Sequence, residues 1–113
     1  METANVIAAL AALAQESRLA VFRLLVQAGP EGLAASKIAE TLEIPPSSLS
    51  FHLKELMHAE LLVQKKQSRS LIYSVNFRTM NGLLGFLTEN CCGGNPCSPV
   101  CIPACSPNDE ASS

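Results

Sequence analysis

The sequence predicts a mainly α-helical domain of five helices with one small β-hairpin, a two-stranded wing, between the fourth and fifth. Three observations predict it. Apolar residues recur at helical spacing through five segments before residue 90. Two short runs rich in Leu, Val and Ile flank the polar turn Gln67-Ser68-Arg69-Ser70. Aromatic residues are scarce, with four Phe, one Tyr and no Trp, so the core must be built from Leu, Ile, Val and Ala.

Each element follows from local chemistry. Thr3 caps a first helix through about Ala14, so apolar all round that it belongs to a core or an oligomer contact. Ser17 caps a second helix to Ala28, with Leu19, Phe22 and Val26 on one stripe, Leu25 beside it, and Gly29-Pro30 as the stop. A short third helix covers Ala35–Leu42. Pro46 stands at the first position of a fourth, where its missing N–H does no harm, and that helix runs to about Ala59. Its apolar stripe is Leu49, Leu53, Leu56 and Met57; at 100° per residue the opposite face is Ser47, Ser50, Phe51 and Lys54. Small hydroxyls, an aromatic and a lysine suit entry into a DNA major groove better than they suit ordinary packing. Leu61–Lys66 and Leu71–Val75 form the hairpin, with Leu71, Tyr73 and Val75 alternating against Ile72 and Ser74. Asn76 caps a fifth helix, Phe77 to about Asn90, with Phe77, Met80, Leu84 and Leu87 on one side.

The 113 residues divide into a folded part, 1–90, and a tail, 91–113. All five cysteines (Cys91, Cys92, Cys97, Cys101, Cys105) lie in the tail, among four prolines (Pro96, Pro99, Pro103, Pro107) that rule out regular structure and leave it flexible. No apolar run is long enough to span a bilayer, and the N-terminus has no basic stretch ahead of an apolar one. The expected location is the cytoplasm, where an odd number of cysteines points to ion binding rather than disulfides. The net charge of −2 disfavours a strongly basic nucleic-acid binder. Its distribution does not: from Ser47 to Arg78, Lys54, Lys65, Lys66, Arg69 and Arg78 stand against Glu55 and Glu60, a local excess of three positive charges. Enzymatic chemistry is not expected, because both histidines, His52 and His58, sit on the fourth helix, away from every cysteine.

The order helix–helix–helix–turn–helix–hairpin–helix is that of a winged helix-turn-helix. Three runs carry a closer likeness: Ser17–Leu25, Ser47–Leu56 and Lys65–Tyr73. Together they resemble the ArsR/SmtB family of metal- and metalloid-responsive repressors, over about residues 5–90. The resemblance implies a homodimer built on the first and last helices and double-stranded operator DNA as partner. It also implies an ion whose binding releases the DNA. Carried onto this sequence, it places Pro46, Ser47, Ser50, Phe51 and Lys54 in the major groove and Lys65, Lys66 and Arg69 against the backbone. The three wing cations could instead serve only to keep an edge hairpin soluble. His52 lies nearer the core side of the wheel, as a packed or capping residue does. Ser68 stands where many relatives have glycine.

Two departures bear on the effector. Many arsenic-responsive members carry paired cysteines at the start of the third helix, where this chain reads Leu33-Ala34-Ala35-Ser36-Lys37-Ile38-Ala39. Zinc-responsive members use His with Asp or Glu on the fifth helix, where this chain offers only Glu89. The tail is left as the sensing site. Structural zinc takes four ligands, whereas As(III) takes three thiolates in a pyramid. Cys91, Cys92 and Cys97 are the expected trio for As(III) or Sb(III), with Cys101 and Cys105 auxiliary. Closing a loop from Cys92 to Cys105 rather than to Cys97 costs only about 0.8 kcal/mol more, so the nearer cysteine is favoured without being compelled. No further cofactor is expected. The alternatives are a sensor of Cd²⁺, Pb²⁺ or Zn²⁺, and a metal-sequestering carrier.

Overall fold

The computed structural model describes residues 1–89; the five cysteines, and Asn90 where the last helix was expected to end, lie outside them. The helices are α1 (Thr3–Leu13), α2 (Glu16–Ala28), α3 (Ala35–Leu42), α4 (Pro46–His58) and α5 (Phe77–Leu87); the strands are β1 (Leu33–Ala34), β2 (Leu62–Gln67) and β3 (Ser70–Val75). By internal contacts the described residues divide into Met1–Leu83 and a second unit that begins at Leu84.

The five helices and the wing form where expected, but the helix starts differ. Glu2, not Thr3, is the α1 N-cap, without a side-chain bond. Gln15, not Ser17, caps α2: its side-chain oxygen accepts from the Arg18 amide at 2.9 Å. The same residue explains the choice, because the Arg18 side chain reaches back to the Ala12 carbonyl at 2.7 Å and ties the end of α1 to the start of α2. At α5 the cap is as expected, with the Asn76 side chain accepting from the Thr79 amide at 3.3 Å. That helix ends at Leu87, short of Asn90, and the Thr88 hydroxyl donates to the Leu84 carbonyl at 2.8 Å.

The two-stranded wing becomes a three-stranded antiparallel sheet in the order β1-β3-β2. Leu33 pairs with Tyr73 and Ala34 with Ile72, so β3 is central. Two residues carry no periodicity, which is why β1 has no sequence signature. Its presence removes the expected alternation in β3, where Tyr73, Ser74 and Val75 are all buried because α2 also packs on that strand. Gly32, just before β1, makes the close approach: its φ is +70°, and a Cβ there would overlap the Tyr73 carbonyl.

The core joins Val6 and Ala9 of α1, Val21, Phe22 and Leu25 of α2, Ile38 of α3, Leu49, Leu53 and Leu56 of α4, and Tyr73 and Val75 of β3. The expected α2 stripe is corrected in part. Val21 replaces Leu19 and Val26, which remain exposed, because β3, α3 and α4 all meet the helix on its Val21–Phe22–Leu25 side. Other apolar side chains stay open to solvent: Ile7 and Leu10 on α1, and Leu84 and Leu87 on α5.

The hairpin turn is Ser68-Arg69, and Ser68 carries it at φ +57°. A left-handed serine is strained and a glycine is not, so Ser68→Gly is expected to stabilise the domain by about 0.5–1 kcal/mol even after its larger unfolded-state entropy is counted. Thermal unfolding measures this as a rise of a few degrees; a fall would show that serine makes a compensating bond.

Candidate nucleic-acid interface

α4 starts from two prolines: Pro45 is its N-cap and Pro46 its first residue. The fixed start sets the phase of the helix, and three leucines then hold it to the core. The helix closes with a Schellman pair, Leu61 N–H to the Leu56 carbonyl at 3.0 Å and Glu60 N–H to the Met57 carbonyl at 2.9 Å. Glu60 takes the left-handed position at φ +62°. Both ends of the helix are thus pinned.

On the outer face Pro46, Ser47, Ser50, Phe51 and Lys54 are all exposed, as their periodicity requires. Phe51 keeps 56% of its surface open and is the sole exposed aromatic among the described residues. With Ser50 and Lys54 beside it, the ring is available for contact with a partner. His52 is half-buried beside it, the rings edge-on with centroids 5.9 Å apart. Its Nδ1 is buried without a hydrogen-bond partner among the described residues. The ring thus packs against Phe51 on one side, as expected of a residue nearer the core side of the wheel.

The wing places Lys65, Lys66 and Arg69 in solvent, Arg69 at the turn. Adjacent strand residues point to opposite faces, so the two lysines leave the strand on opposite sides. Lys66 shares a face with Gln64, which lines a groove against α4; Lys65 is on the reverse with Val63. Removing Lys65 or Arg69 by alanine is expected to weaken binding to every DNA sequence alike. The log–log salt slope should fall by about one for each phosphate that is no longer neutralised. A weakening confined to one sequence would make the residue a base reader.

The groove also includes Met57, His58 and Tyr73, which helical and strand periodicity do not assign to an interface. A signal for part of it is present in the sequence: strands aligned with Lys66 opposite Leu71 also put Gln64 opposite Tyr73. What sequence could not indicate is that α4 lies along that face. Among the described residues no three His, Cys, Asp or Glu side chains gather closely enough to hold a metal ion. No helix there is long and apolar enough to cross a membrane.

Residues 13–65 match the family model of a helix-turn-helix domain. The ArsR-like transcriptional regulator of Rhodococcus sp. RHA1 superposes with a TM-score of 0.68 at 24% identity, over 76% of this chain and 78% of that one. The homodimeric winged helix-turn-helix DNA-binding domain Mb0332 of Mycobacterium bovis superposes with a TM-score of 0.62 at 18% identity, over 83% and 87%. These two establish the fold. The deciding likeness is in sequence: the chain is 35% identical over 81 residues to the arsenical resistance operon repressor of Bacillus subtilis (strain 168), covering 72% of this chain and 73% of that protein. The chain belongs to the ArsR family. As an ArsR-type winged helix-turn-helix protein it is a DNA-binding transcriptional repressor, and not an enzyme. In that fold α4 has the place of the recognition helix and the β2–β3 ribbon that of the wing.

Proposed function

We propose that this ArsR-family repressor binds a two-fold operator as a homodimer and releases it when As(III), or Sb(III), is captured by Cys91, Cys92 and Cys97, with Cys101 and Cys105 auxiliary. The observation that carries this reading is the confinement of all five cysteines to residues 91–105 in a chain otherwise free of them. Thiolates are the ligands soft ions select, and three of them complete the As(III) pyramid. The Bacillus subtilis relative, a repressor of an arsenical resistance operon, supports the choice of ion.

Dimerisation is supported by Ile7 at 61% exposure on α1 and by Leu84 and Leu87 at 50% and 54% on α5, apolar side chains that the fold itself does not use. The Mycobacterium bovis neighbour, also a winged helix-turn-helix domain, is homodimeric. α5 ends four residues before Cys91. Ion capture so near the helix changes how two subunits sit on DNA. A coupling of roughly 1–3 kcal/mol loosens DNA by one to two orders of magnitude.

The test is a gel shift of the full chain on the DNA upstream of its own gene, with As(III), Cd²⁺ and Zn²⁺ added in turn. Release by As(III) at the lowest concentration is expected, lost in Cys91→Ser, Cys92→Ser and Cys97→Ser and kept in Cys101→Ser and Cys105→Ser. Release by Cd²⁺ or Zn²⁺ alone would make the tail a sensor of a four-coordinate metal. Ion binding without any DNA binding would make the protein a carrier.

A further inference from the structure

The groove between α4 and the sheet measures about 250 Å³, and Leu53 forms its apolar floor. Its α4 wall carries a polar row one turn apart, Ser50, Lys54 and His58, with Met57 beside it. Its sheet wall is the cross-strand pair Gln64 and Tyr73. The Gln64 side-chain amide donates to the Tyr73 hydroxyl at 2.8 Å. A hydroxyl whose oxygen accepts still has its own hydrogen to give, and no acceptor takes it among the described residues. Tyr73 is only 9% exposed, so its ring is fixed by packing while its hydroxyl reaches the groove.

The groove therefore collects a serine hydroxyl, a tyrosine hydroxyl with a hydrogen to give, an amide and an ammonium, and no carboxylate lines it. Hydrogen-bond donors around one cation, open to solvent, select an oxyanion. The oxyanion a recognition helix and a wing bring between them is a phosphodiester of the DNA they grip. We propose that this groove is a saddle for one backbone phosphate of the duplex, with Tyr73 donating to a phosphate oxygen, Lys54 supplying the charge and Gln64 positioning the tyrosine hydroxyl. The inference rests on α4 being the DNA-reading helix. It adds two uncharged sheet residues to an interface otherwise made of α4 and the wing cations. A phosphate seated there fixes how deeply α4 can enter the groove of the DNA, because it is held from both sides at once.

Tyr73→Phe removes one oxygen and keeps the buried ring. In the full chain it is expected to bind the DNA upstream of its own gene about tenfold more weakly, and an unrelated duplex weaker by the same factor, since a phosphate carries no sequence. Its salt slope should be unchanged, because the hydroxyl is neutral, while Lys54→Met lowers the slope by about one per site. Duplexes carrying a single uncharged methylphosphonate then locate the phosphate. One position in each half-site weakens the wild type more than it weakens Tyr73→Phe, in which Lys54 alone still meets that phosphate. Gln64→Ala, at an exposed position that spares the core, is expected to show the same signature at about threefold, and carries the test alone should Tyr73→Phe lose its thermal transition. Wild-type affinity in both variants while Phe51→Glu fails to bind would overturn the saddle and leave the recognition helix standing. Wild-type affinity in Phe51→Glu as well would overturn the DNA-reading assignment beneath it.

Discussion

Phe51→Glu is expected to abolish operator binding, by at least about a hundredfold, with the fold intact. The side chain is 56% exposed and lies on the face away from the three buried leucines of α4, so its replacement costs the domain within about 0.5 kcal/mol. On DNA the outcome is opposite. A carboxylate placed among base edges and phosphates brings like charges together, at a cost of several kcal/mol, and each 1.4 kcal/mol is a factor of ten. Ser50→Glu, one residue earlier on the same face, should behave alike. Fluorescence anisotropy with labelled DNA measures the affinity, and thermal unfolding checks the fold. Unchanged affinity would remove α4 from the interface.

Gly32→Ala is expected to cost about 3 kcal/mol or more of folding stability, and to lower the unfolding midpoint by roughly 10–20 °C. Two penalties add. The backbone at Gly32 has φ +70° and ψ −170°, a region only glycine occupies freely. The new methyl would also overlap the Tyr73 carbonyl, which belongs to the central strand and cannot swing away. Gly29 separates the two penalties. It is also left-handed, at φ +81°, but nothing lies within 4 Å of a Cβ built there, so Gly29→Ala should cost the conformational part alone, about 1–3 kcal/mol. Equal destabilisation in the two variants would show that β1 gives way without penalty.

The face of α4 is legible in the sequence because nothing local competes with its period. Proline fixes its start, leucines recur at Leu49, Leu53 and Leu56, and every residue opposite them is exposed. The apolar excess of α2 is not legible in the same way. It carries more aliphatic side chains than its neighbours can cover, so which of them are buried depends on where β3 and α3 arrive. Caps mislead for a related reason. Thr3 and Ser17 are the better capping types, yet Gln15 serves because the Arg18 side chain holds the α1–α2 corner in place. β1 is the clearest omission: two residues whose partners lie about forty positions away along the chain leave no pattern in their own neighbourhood. The cysteines, by contrast, stand out from composition alone, while their arrangement lies outside the described residues.

The two-residue strand β1 also sets an order of events in folding. Leu33 lies against Tyr73, and α3, α4 and β2 all fall within the stretch of chain between them. Closing a loop of that length costs about 3 kcal/mol in chain entropy, whereas each helix inside it forms within about a microsecond. The recognition helix is therefore made early and the sheet is closed late. During synthesis α4 can already pack on α1, α2 and α3, whereas β1 has no partner until β3 has emerged and Gly32 lets the two strands meet. Amide exchange pulsed during refolding should protect the Tyr73–Leu33 ladder after the interior of α4. The reverse order would mean that the sheet organises the helix.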